Sequence, residues 1–141
     1  MSLLLVALLA AAQPADTYRS EACAHDPGKG VLVQVDILES HKDESTWRIM
    51  PDGYKPFDKT KLVRGKGKPF ATRNAPVVLN GKSFERYGLP RVIGARELEA
   101  KPFAMLDGVP FYAEKGATDI QVVYALHEPI GCEFQPYQLK R

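Results

Sequence analysis

The chain lacks most of what marks a known chemistry. Its 141 residues include three histidines, His25, His41 and His127, and two cysteines. None stands in His-x3-His or Cys-x2-Cys spacing, so the three or four converging ligands of a metal site are not foreseen. No serine occupies Gly-x-Ser-x-Gly. Gly65-Lys66-Gly67-Lys68 has neither the spacing nor the following helix of a phosphate-binding loop, and no dinucleotide fingerprint occurs. The close acids Asp43 and Glu44, and Glu97 and Glu99, lie in exposed segments, where carboxylates seldom acquire the shifted pKa of an acid–base pair. These absences weigh against catalysis. No cofactor or catalytic residue is expected, and a small hydrolase or metal enzyme remains an outside alternative.

Long apolar runs are also missing. Leu3 to Ala12 is uncharged and apolar but only ten residues long, about 15 Å as a helix, roughly half a bilayer core. With the small residues Ala10 and Ala12 before Gln13-Pro14, residues 1–12 read as a cleaved secretory signal peptide, although no Lys or Arg precedes the run. The remaining residues, 13–141, are enough for one domain, with no transmembrane segment expected. A secreted or periplasmic location follows. In such an oxidising compartment Cys23 and Cys132 are expected to form a disulfide.

Helix formers are scarce. Only Ala95 to Lys101 favours one or two helical turns before Pro102 stops it. Strand signals fill the rest. Val31, Val33, Val35 and Ile37 alternate with Leu32, Gln34, Asp36 and Leu38, and Thr46 to Met50 adds a short apolar segment. Asn80-Gly81 and Asp107-Gly108 predict tight hairpins. Pro110 suggests that its strand is an edge or is bulged. Ile120, Val122, Tyr124 and Leu126 alternate again, and the last strand sets Ile130, Cys132 and Phe134 on one face. Phe134 and Tyr137, three apart, should face opposite sides. The expected fold is mainly β, a small antiparallel sandwich or partly open barrel of about six or seven strands, with at most one short helix. The runner-up is α+β, one helix on an antiparallel sheet.

Charge is present but unevenly spread. The whole chain is only +2. Residues 55–96 nevertheless carry 11 basic against 2 acidic groups, net +9, while 13–54 stand at −4 and 97–141 at −3. Within the basic third, Lys55, Lys59, Lys61, Arg64, Lys66, Lys68 and Arg73 face only Asp58, interleaved with Tyr54, Phe57 and Phe70. These seven cations are the candidate anion-binding residues, with Gly65 and Gly67 free to bring main-chain N–H groups close to an anion. Cations for backbone charge and rings for bases or sugars suit an anionic polymer or surface. A solvated, edge-protecting lysine loop has the same composition. The leading functional expectation is therefore an exported binding module for an anionic polymer or surface. An accessory or inhibitor protein acting on an envelope partner, through a sheet edge or the patch Gly131–Tyr137, is the alternative.

Overall fold

Strand β1 (Thr17–Asp26) and strand β2 (Val31–Ser40) form a long antiparallel hairpin in the computed structural model of the protein. The turn between them is set by Asp26, whose carboxylate accepts the N–H of Gly28 at 2.9 Å and of Lys29 at 3.3 Å. Gly30, at φ +67°, completes the reversal. Strand β3 (Ser45–Ile49) and the two-residue β4 (Lys55–Pro56) extend this into a four-stranded sheet in the order β1-β2-β3-β4. The structure describes residues 17–40, 45–49, 55–56 and 62–141. The leader read at 1–12 lies outside the described residues, as do His41, Asp43, Glu44, Tyr54, Phe57, Asp58, Lys59 and Lys61.

The second sheet comprises β5 (Val77–Leu79), β6 (Lys82–Arg86), β7 (Arg91–Val92), β8 (Ala104–Leu106), β9 (Val109–Ala113), β10 (Val122–Glu128) and β11 (Glu133–Leu139). Its order is β5-β6-β11-β10-β9-β8, with β7 following β6 along the same side of β11. Every pairing is antiparallel. Both foreseen hairpins form. Asn80 and Gly81 take φ of 51° and 77°, and Asp107 and Gly108 take 50° and 77°, the positive pair that matches the twist of flanking strands. The Asn80 side chain then donates to the Phe103 carbonyl at 2.9 Å, drawing the first strand toward the last. The result is a nearly closed barrel and a mainly β fold, as the sequence pattern predicts.

Alternation along β10 and β11 gives the wall two apolar faces. Val123, Ala125 and Tyr137 point inward with Phe84, Phe111, Val109 and Phe70. Tyr124, Leu126 and Phe134 point outward with Ile93, Leu98 and Tyr112. Phe134 and Tyr137 therefore enter opposite clusters, as their spacing implies. The outer cluster is covered by Cys23 and Leu32 of the first sheet. Main-chain bonds sew that contact: Cys23 N–H to Pro129 O at 2.9 Å, Gly131 N–H to Glu21 O at 2.8 Å and Leu32 N–H to Ala100 O at 2.7 Å. Cys23 and Cys132 are joined in a disulfide, as expected.

Two local readings are corrected. β9 is not an edge, since β8 and β10 flank it; Pro110 is tolerated because the β9–β10 register stops at Phe111. The helix foreseen over 95–101 shrinks to a single 3-10 turn, Ala95–Glu97. Leu98 is only 3% exposed and bridges Glu114 as extended chain. Burying that side chain outweighs a propensity worth tenths of a kcal/mol per residue.

The bridge closes a loop with a sequence separation of 109, for which the chain-entropy model gives up to roughly 4–5 kcal/mol. Reduction, or Cys23→Ser with Cys132→Ser, should lower unfolding free energy by about 2–5 kcal/mol. Chemical denaturation of the two forms checks this; coincident midpoints would show that the packed interface alone suffices.

Candidate functional site

Gly65 lies where the basic segment meets the barrel. A side chain there would place its Cβ 2.7 Å from the Leu126 carbonyl oxygen, a collision. Only glycine lets residue 65 approach and donate its N–H to that oxygen at 2.8 Å. Lys66 N–H follows, to His127 O at 3.0 Å, and Lys68 N–H closes a tight turn on Gly65 O at 3.0 Å with Gly67 at φ +83°. One helical turn, α1 (Pro69–Thr72), comes next. Its Phe70 enters the interior cluster with ring centroid 5.6 Å from that of Phe111. The segment is thus main-chain-pinned across one end of the barrel.

The seven candidate cations separate on inspection. Lys59 and Lys61 are outside the described residues, and Lys55 is placed by its backbone only, opposite Trp47 in β4. Arg64 is matched: its guanidinium meets Glu128 at 3.2 Å. Lys66, Lys68 and Arg73 are exposed, and none makes an ion pair among the described residues. The proposed use of Gly65 N–H for an anion fails, because Leu126 already accepts it.

Three further residues join this end that their sequence positions do not betray. Arg86 sits opposite Tyr137 in the β6–β11 ladder and donates to the carbonyls of Ala71 and Arg73, the latter at 3.1 Å. It thereby satisfies carbonyls at the end of α1 that have no partner within the helix. The neighbouring Tyr137 hydroxyl is buried without a hydrogen bond of ordinary geometry. Burial raises its pKa, with the nearby Arg86 guanidinium pulling the other way. His127 faces Glu133 at 3.7 Å. Its pKa is held below the ordinary 6.5, first by burial, then by Lys66 and Arg86, against the opposite pull of Glu133 and Glu128.

A second polar constellation lies on the outer face. Arg91 covers the Tyr124 ring at 5.2 Å and donates to its hydroxyl at 2.7 Å; that hydroxyl donates to Glu114 at 2.9 Å. Burial, then the Glu114 hydrogen bond, raises the Tyr124 pKa. The three groups satisfy one another beside an open depression of about 440 Å³ that Ile93, Leu98 and Lys115 also line. His25 shares a 3.2 Å hydrogen bond with Tyr112 rather than meeting another histidine. Among the described residues no three His, Cys, Asp or Glu side chains are grouped to hold a metal ion. The terminal patch Gly131–Tyr137 is largely core: Phe134 is 0% and Tyr137 1% exposed.

No protein-family model, curated protein or solved structure matches the chain.

Two outcomes follow from this geometry. Gly65→Ala should cost about 1–3 kcal/mol through overpacking against backbone, while Gly67→Ala, which has open space but positive φ, should cost about 1–2 kcal/mol; thermal denaturation separates them. Unfolding releases His127 to a higher pKa, so the unfolded chain takes up a proton. Stability should therefore fall as pH drops from 6.5 through the lowered folded value. His127→Gln should flatten that slope in denaturant titrations between neutral and mildly acidic pH. An unchanged slope would remove His127 from the acid response.

Proposed function

We propose that the protein is an exported binding module whose basic end contacts an anionic polymer or surface. One observation carries this reading. Lys66, Lys68 and Arg73 stand exposed without carboxylate partners among the described residues, on a segment held by main-chain bonds to β10. An unpaired cation on a braced segment loses little entropy on meeting an anion, and no intramolecular pair must first be broken. The disulfide supports a location outside the reducing cytoplasm. Among the described residues no helix is long and apolar enough to cross a membrane.

Binding of this kind is driven by release of counterions. Retention on a polyanion column should weaken steeply with salt, with a slope of about 0.7–0.9 per phosphate contacted. Replacing Lys66, Lys68 and Arg73 together by Gln should reduce the slope by roughly 2–3. Elution of this variant at the wild-type salt concentration would refute the reading.

A further inference from the structure

Strand β11 carries a proline at its centre, and the protein builds a projection from it. In the β6–β11 ladder the next pair after Tyr137–Arg86 would be Pro136–Tyr87. Tyr87 N–H does donate to Pro136 O at 3.0 Å. Pro136 has no N–H to return, so the ladder stops there. The chain leaves the sheet at Gly88, φ +75°, and re-enters as β7 opposite Phe134 and Glu133. Gln135 supplies a substitute donor, its side-chain amide reaching Gly88 O at 3.0 Å. Residues 87–92 thus form a short outward loop anchored at both ends.

This loop is apolar where a surface loop is ordinarily polar. Leu89 is 83%, Val92 74% and Tyr87 51% exposed. They are three of the six large hydrophobic side chains exposed among the described residues, within six positions. Isolated exposed apolar residues need no explanation, but three on one short braced loop do.

The loop shares its end of the barrel with Lys66, Lys68 and Arg73, which make no ion pair among the described residues. Arg86, immediately before Tyr87, is bonded to the carbonyls of Ala71 and Arg73. On the other side Val92 lies opposite Glu133, Glu133 faces His127, and the His127 carbonyl holds Lys66. Of the acids near this end, Glu128 meets Arg64 and Glu133 faces His127; Glu97 and Glu114, which line the depression beside Val92, accept from the Gly94 N–H and the Tyr124 hydroxyl, and Asp107 sits in the β8–β9 turn.

We infer that this end of the molecule docks on an anionic lipid bilayer, with Tyr87, Leu89 and Val92 entering the headgroup boundary and Lys66, Lys68 and Arg73 meeting the lipid charge. The inference rests on the anion-binding function proposed above and names its partner. A soluble polyanion satisfies the cations but gives Leu89 and Val92 nothing to do, since stacking needs flat rings. A standard protein interface needs about 800 Å² from each partner, far more than one loop of three apolar side chains supplies. An anionic bilayer uses both features: apolar side chains partition into its boundary, tyrosine favours the headgroup level, and cations gather at its surface.

The test uses sedimentation with vesicles of phosphatidylglycerol and phosphatidylcholine in equal parts, against phosphatidylcholine alone, alongside the polyanion column. The wild-type protein should sediment with the anionic vesicles only. Leu89→Ser with Val92→Thr, which removes apolar surface without adding charge, should weaken vesicle binding about tenfold or more while leaving column elution unchanged and thermal stability nearly so, because both side chains are exposed. Leu89→Trp should keep binding and shift its emission to the blue when anionic vesicles are added. Vesicle binding unaffected by the Ser/Thr pair, with no blue shift, would overturn insertion. Column retention without any vesicle binding would overturn the lipid partner but leave the polyanion reading standing. Loss of both would remove both.

Discussion

A strand with apolar side chains on both faces has to be covered twice. β10 and β11 meet that condition: Val123, Ala125 and Tyr137 fill the barrel, while Tyr124, Leu126 and Phe134 face away from it. Closing the barrel shields only the first set. The outer set would stand in water at a cost of about 25 cal/mol for each Å² of apolar surface. The β1–β2 hairpin and the extended chain around Leu98 remove that surface. The disulfide then holds the cover where the β10–β11 turn already bonds to β1. The four-stranded sheet follows from this demand: Cys23 and Leu32 belong to the barrel's outer core as much as to their own strands.

Proline and glycine shape this end of the barrel by what they lack. Pro136 has no donor for Tyr87, so β6 and β7 cannot be one strand, and an apolar loop stands out between them. Gly65 has no side chain, so the basic segment can lie against Leu126 and spend its first N–H groups on β10. In both places a missing atom determines where the backbone runs. The consequence is that Arg86, at the foot of the apolar loop, bonds to the Ala71 and Arg73 carbonyls at the end of the basic segment.

The positive charge of the middle third is divided by tertiary contacts. Arg64 is neutralised by Glu128, from a strand more than 60 residues away. Arg86 is drawn onto helix carbonyls and serves structure. Lys66, Lys68 and Arg73 are left to solvent. A run of like charge in a sequence therefore overstates the cations available to a ligand.

Period-two alternation, the Asn-Gly and Asp-Gly turns and two cysteines in an exported-looking chain were enough to determine a mainly β, disulfide-braced fold. Each rests on a local property: side chains alternate every residue, and positive φ suits few residue types. The pairing of one cation of the basic segment while others stand exposed was not legible, since Glu128 is distant in sequence and only folding brings it to Arg64. Nor was the loop at 87–92, because Pro136 breaks the strand opposite rather than its own. Tertiary structure alone decided these, as hydrogen-bond registers and ion pairs join residues whose separation along the chain carries no periodic signal.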